Sequence, residues 1–173
     1  GSVTDKVVHS SDLPVMTILP DTSRRVSNVE EVVVPLDGSE LAETVLPYVE
    51  ALALKCSMRV VLVRAYQVGV TFMGDMPDAY VGLEGVEEDM RAEAARYLDQ
   101  VADRLKAKDI QVASATLNGH PAQTLGEFAE GRSNSMIAMS THGRSGFSRW
   151  VLGSVAESTV RVSGGPVLII PQS

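Results

Sequence analysis

Five short apolar runs, alternating with stretches of helical periodicity, constrain this chain more than any other feature. They fall at Val32–Leu36, Met58–Ala65, Ile110–Leu117, Ser135–Ser140 and Pro166–Ile170. The first, Val32-Val33-Val34-Pro35-Leu36, is almost unbroken in its apolarity. Such a run suits a strand covered on both faces. Between the runs, Leu41, Val45, Val49, Leu52 and Ala53 recur at helical spacing. Val86, Met90, Ala94, Tyr97, Val101 and Leu105 mark one face of a long helix whose other face is charged. Leu125, Phe128 and Ala129 give a short helix after Pro121, and a last helix spans about Ser154 to Val162. Strands alternating with helices in the order βαβαβαβαβ predict an α/β fold. The expected form is a five-stranded parallel sheet, doubly wound and Rossmann-like, in the order 3-2-1-4-5 with right-handed crossovers.

A second feature bears on organisation. Residues 1–18 (GSVTDKVVHSSDLPVMTI) laid without gaps on residues 153–170 (GSVAESTVRVSGGPVLII) agree at eight of eighteen positions. Ordinary composition gives about one agreement by chance. Residues 1–18 are therefore expected to be the tail, last helix and last strand, of a preceding truncated repeat. Residues 19–30 are polar and read as a linker, and the complete domain is expected over 31–173. Pro14–Ile18 is an apolar strand with no sheet of its own. Val15–Ile18 is accordingly expected to extend the edge offered by Val167–Ile170, in the same chain or in a neighbour. Gly1-Ser2 could be native or a cloning remnant. The match through Ile18 does not depend on them.

Composition excludes several classes. The net charge of −7 is the wrong sign for phosphate-rich nucleic acid. No apolar run approaches the roughly 18 residues of a membrane span. A single cysteine, Cys56, rules out an internal disulfide framework and reads as an ordinary thiol near a helix-to-strand turn. The three histidines have no partners at metal-ligand spacing, so no metal site is expected. These features fit a cytoplasmic protein.

In a doubly wound sheet, ligands bind beyond the carboxyl ends of the strands where strand order reverses. The loops to examine follow the first and fourth strands. The first holds Asp37-Gly38-Ser39, where Asp37 could contact a ligand or serve the following helix. The second runs from Ser140 to Ser154 and contains Thr141-His142-Gly143-Arg144-Ser145-Gly146. Its glycines let a ligand approach the main chain. Gly153-Ser154 opens a helix, and Ser154 with Glu157 has the S-x-x-E spacing of a capping box. A helix start offers free N–H groups to an anion, with Arg144 or Arg149 as charge. A glycine-rich turn before an ordinary capped helix is the plainer alternative. His142 could touch phosphate or organise the loop. The aperiodic stretch 67–85 could be a lid, a contact loop or disordered. Neither G-x-x-x-x-G-K-[ST] nor G-x-G-x-x-G after the first strand is present.

The V-P-x-D-G-S opening, the T-H-G-R-S-G loop, and G-S-V followed by P-V-L-I-I resemble the universal stress protein family over residues 31–171. That resemblance implies ATP as ligand, with Mg2+ where phosphates are engaged. The family's G-x-x-G, nine residues, G-[ST] pattern falls on Ser140, Gly143, Gly153 and Ser154, with serine at the first glycine. The resemblance also implies that Asp37 contacts the adenosine and that Pro35, Ala65 and Met139 line an adenine pocket. Val155 would add a backbone N–H to the phosphates. It further implies pairing through the last strand, as a homodimer or within a tandem. The leading expectation is an adenine-nucleotide-binding regulatory module of the stress-response type. The alternative is a dimeric scaffold of the same fold in which Ser140 hinders ATP. No catalytic constellation is visible, so hydrolysis is expected to be slow at most. An α-hydrolase of related fold would need S-G-G-x-D-S near strand one, and Asp37-Gly38-Ser39-Glu40 does not supply it.

Overall fold

The structure is a computed structural model that describes residues 3–18, 28–68, 83–132, 134–141 and 153–171. The elements in chain order are α1 (Val3–Ser10), β1 (Val15–Thr17), β2 (Glu31–Pro35), α2 (Glu40–Glu43), α3 (Leu46–Cys56) and β3 (Arg59–Tyr66). They continue with α4 (Leu83–Lys106), β4 (Val112–Asn118), α5 (Pro121–Glu130), β5 (Ser135–Ser140), α6 (Ser154–Val162) and β6 (Val167–Ile170). One six-stranded sheet runs β1-β6-β5-β2-β3-β4. The pairs from β6 to β4 are all parallel. Counted from β2, the five parallel strands lie in the order 3-2-1-4-5. β1 adds to the β6 edge and is antiparallel to it, with Val15 opposite Ile169, Met16 opposite Leu168 and Thr17 opposite Val167. The Thr17 hydroxyl donates to the Val167 carbonyl (3.2 Å). The pairing forms within the chain and stops at Thr17, leaving Ile18 exposed.

The strand runs are apolar because the sheet has two covered faces. Successive side chains alternate across a strand, so Val32 and Val34 join one buried cluster and Val33 joins the other. The first cluster packs β2 and β3 under α2, α3 and α4, through Val45, Val49, Leu98, Val101 and Leu105. The second packs Val61, Val63, Ile137 and Ile169 under α5, α6 and α1, through Leu125, Ala129, Val160 and Val8.

Three local features differ from expectation. The first helix is two helices. Pro47 sits in the first turn of α3, where its ring cannot follow a helical residue four positions back and its nitrogen donates nothing. The chain turns at Thr44 and Val45 instead, and the Thr44 hydroxyl donates to the Leu41 carbonyl (2.7 Å). The long helix begins at Leu83, inside the stretch expected to be aperiodic; residues 69–82 lie outside the described residues. The buried face of α4 is Ala94, Leu98, Val101, Ala102 and Leu105, while Val86 is 47% exposed. Val86 lies at the end of α4 that precedes this buried face. Cys56 is the exposed last residue of α3, before Ser57 in a left-handed conformation (φ 55°).

This face assignment has a measurable consequence. Leu98→Ala should lower the unfolding free energy by about 2–5 kcal/mol in urea titration. Val86→Ala should change it by no more than about 0.5 kcal/mol.

Candidate functional site

A cavity of about 480 Å³ opens at the carboxyl ends of β2, β3 and β5. That volume lies within the ~300–1,000 Å³ of small-molecule and cofactor sites. It arises where the strand order reverses. The chain leaving β2 goes to α2 on one face, and the chain leaving β5 leads toward α6 on the other. The two exits diverge and leave a crevice.

From β2 the wall takes Pro35 and Asp37, and from β3 it takes Ala65. From β5 it takes Met139 and Ser140, and from the start of α6 Gly153, Ser154 and Val155. These are the residues singled out in the sequence, gathered on one cavity. Gly143 and Arg144, like His142 and Arg149, lie outside the described residues.

The β2 exit is organised by its own side chains. The Ser39 backbone N–H and hydroxyl both donate to Asp37 Oδ1 (2.9 and 2.6 Å). Ser39 Oγ in turn accepts from the Ala42 N–H (3.1 Å) and caps α2. Asp37 is thus fixed by an Asx-type turn and faces the cavity. Gly38 makes this turn possible: its φ of 90° is a left-handed conformation.

Opposite the turn stands Arg64, which the sequence reading missed. It lines the cavity and is only 8% exposed. Its guanidinium donates to Glu93 Oε1 (3.2 Å) and lies 4.9 Å from the centroid of the Tyr97 ring. Both partners come from α4, and a cation over an aromatic face is attractive. A Cβ at position 38 would stand 3.4 Å from that guanidinium, so Gly38 also allows the turn to pack on Arg64. Tyr97 donates to Glu43 (2.9 Å), which also accepts from Arg104 (2.6 Å). The network ties α2 and α4 together beside the cavity.

At the other wall, Gly153 is the N-cap of α6 and Ser154 its first helical residue. The capping box expected of Ser154 and Glu157 is not formed. Ser154 sits one position too far into the helix to cap it, and the Glu157 carboxylate pairs with Arg161 (2.5 Å). The first intrahelical bond runs from Glu157 N–H to the Gly153 carbonyl (2.9 Å). The N–H groups of Ser154, Val155 and Ala156 precede it, and all three residues border the cavity. Gly153 is anchored by donating to the Thr141 carbonyl (2.8 Å), and Thr141 donates to Ile170 (3.0 Å). The helix start is therefore pinned to the ends of β5 and β6. Among the described residues, no three His, Cys, Asp or Glu side chains gather as a metal site. Nor is any helix there long and apolar enough to cross a membrane.

A sequence model of the universal stress protein family matches residues 28–171. The chain belongs to the universal stress protein family. A universal stress protein of Methanocaldococcus jannaschii, MJ0531, is 28% identical over 141 residues, covering 82% of this chain and 81% of that protein. One from Mycolicibacterium smegmatis is 27% identical over 98% of this chain but only 55% of its own length. Among solved structures, M. jannaschii MJ0577 superposes with a TM-score of 0.72 at 22% identity, over 83% of this chain and 96% of its own. A universal stress protein in complex with cAMP superposes at 0.59 and 23% identity, covering 85% of this chain and all of that one. An Archaeoglobus fulgidus member gives 0.64 and 23% identity, and covers all of this chain with 55% of its own. These structures share the mixed α/β fold.

Tyr97 supplies a test of the network beside the cavity. Burial, then the hydrogen bond to Glu43, then the charges of Glu43 and Asp37 push its phenol above the ordinary tyrosine range, against an opposing push from Arg64. Because the folded value is raised, its contribution is complete below the unfolded pKa of about 10 and is lost as pH rises above it. Tyrosinate absorbance should show a component that ionises above the ordinary tyrosine range. Tyr97→Phe should cost about 1 kcal/mol at neutral pH and remove this alkaline component.

Proposed function

We propose that this universal stress protein domain binds an adenine nucleotide, ATP in the first instance, in the cavity between β2 and β5. The observation that carries the reading is the pairing of unlike polar elements on one apolar-walled cavity. One wall offers the Asp37 carboxylate, an acceptor suited to ribose hydroxyls. Another offers the start of α6, whose N–H groups and partial positive charge suit phosphate. Pro35, Ala65 and Met139 supply apolar contact for a base. Gly143 and Arg144 complete the proposed ligand set by family resemblance. The cAMP complex of a protein with this fold supports the same ligand class.

The residues present fit such a ligand, and Mg2+ would then be carried largely by the phosphates, as is usual for that ion. Among the described residues that line the cavity, no pair is arranged as nucleophile and base, and the proposed role is binding and signalling. Any hydrolysis would rest on phosphate positioning.

Ser140 favours a second reading. It ends β5, is buried, and borders the cavity. Its hydroxymethyl group occupies space that the family's glycine leaves open. On that reading the domain is a scaffold with little nucleotide affinity. The proposal also has residues 1–18 as a second, partial copy of the closing helix–strand unit of the domain. It has the domain pairing through its last strand, β6, whose edge here carries β1.

Calorimetric titration with ATP separates the readings. Binding should be saturable and weakened about tenfold or more by Asp37→Ala, with circular dichroism unchanged. No heat at millimolar ATP, with no adenine nucleotide found by mass spectrometry in the denatured protein, rejects the nucleotide reading. Ser140→Gly should strengthen binding several-fold; an unchanged affinity removes the steric role of Ser140.

A further inference from the structure

Arg64 is an unexpected residue for its place. It lies on the face of β3 that also carries Val60 and Leu62, both wholly buried in the first cluster. Its side chain is 9% exposed, while that of its ion-pair partner Glu93 is 66% exposed. A pair so placed gains little, because the cation is taken out of water and the carboxylate stays in it. Replacing a buried ion pair by apolar side chains of similar volume is often neutral or stabilising. Stability therefore does not account for an arginine at this position.

The geometry around the guanidinium supplies another account. A Cβ at position 38 would stand 3.4 Å from Cζ and 3.4 Å from each terminal nitrogen. Equal distances of that size are met only over the flat face of the group, so position 38 sits over that face. The guanidinium is held in turn from α4, with Cζ over the Tyr97 ring at 4.9 Å and Nη2 donating to Glu93 at 3.2 Å. Tyr97 is itself held by its hydrogen bond to Glu43 of α2 (2.9 Å). Asp37 and Ser39 flank Gly38, and Ser39 donates two hydrogen bonds to the Asp37 carboxylate. The Asp37–Ser39 turn thus rests on a planar support anchored to α4 and, through Tyr97, to α2.

We infer that Arg64 is a positioning residue for the ligand site. Its guanidinium face supports the turn that aims Asp37 into the cavity, and so sets how well the site distinguishes a ribose from a sugar lacking its hydroxyls. The ligand half of this inference rests on the nucleotide reading of the cavity; the support of the turn does not. A lysine would keep the charge but not the planar face. Arg64→Met and Arg64→Lys should therefore act alike.

Calorimetric titration with ATP and with 2′,3′-dideoxy-ATP, alongside amide hydrogen exchange in the free protein, tests it. The parent should bind ATP about tenfold or more tightly than the dideoxy nucleotide, as expected of hydrogen bonds to a charged group. In Arg64→Met this ratio should fall to about twofold or less, through loss of ATP affinity alone. The Ser39 N–H should exchange about fivefold or more faster than in the parent, with Val33 unchanged. Equal losses of affinity for both nucleotides, which a general structural role would give, overturn the inference. So does a parent that binds both alike, an unchanged ratio, an unchanged Ser39 exchange rate, or a full return of discrimination in Arg64→Lys. Should Arg64→Met lose its native circular dichroism, Arg64→Lys carries both measurements. A parent that binds neither nucleotide rejects the nucleotide reading and the sugar discrimination with it. Ser39 exchange then decides the support of the turn by itself.

Discussion

The structure depends on β2 being buried on both faces. Val32, Val33 and Val34 are wholly excluded from solvent, and they point alternately into two separate clusters. A strand so placed requires helices on both sides of the sheet. α2, α3 and α4 take one side, and α5 and α6 take the other. The cavity follows from the same constraint. β2 and β5 are parallel neighbours whose following helices lie on opposite faces. The backbones part at their carboxyl ends, and a crevice is left that no side chain needs to carve.

What borders that crevice is chemically divided. At the end of β2 an acidic side chain is held by a turn that uses one of its oxygens twice, through the N–H and hydroxyl of Ser39. At the start of α6 the donors are main-chain groups held by hydrogen bonds to Thr141 and onward to Ile170. The two walls therefore differ in polarity and in the means of their rigidity. Arg64 adds a buried positive charge between Asp37 and the acidic α4 face. Removing it would leave Glu93 unpaired and the Asp37–Ser39 turn without the surface it packs on.

Much of this was legible in the sequence, for identifiable reasons. Strands buried on both faces are apolar without interruption, so Val32–Val34 and Met136–Met139 announce themselves. Strand ends follow from those runs, and Asp37 and Ser140 follow from strand ends; Pro35, Ala65 and Met139 came from the resemblance to the family. Arg64 escaped because an arginine in a strand reads as a solvent-facing residue. The available signal was parity: Arg64 shares the face of Val60 and Leu62, toward α4, where Glu93 and Tyr97 lie one helical turn apart. The division of the first helix was written in Pro47, but the apolar spacing of Leu41, Val45 and Val49 runs through it. The capping-box pattern at Ser154 failed because Gly153 adopts the extended cap conformation itself, which moves Ser154 into the first turn.

The edge of the sheet shows how little is needed to close it. β6 offers four apolar residues, and β1 covers that edge with a three-residue ladder. Burying one valine stabilises by about 1.5–3 kcal/mol, so Val8, buried in the second cluster, is a large part of what holds α1 and β1 down. A free strand docking there would lose translational and rotational freedom estimated at about 4–15 kcal/mol. The segment in the same chain loses far less, because the connection within the chain keeps its local concentration high. A three-residue strand can therefore hold the edge.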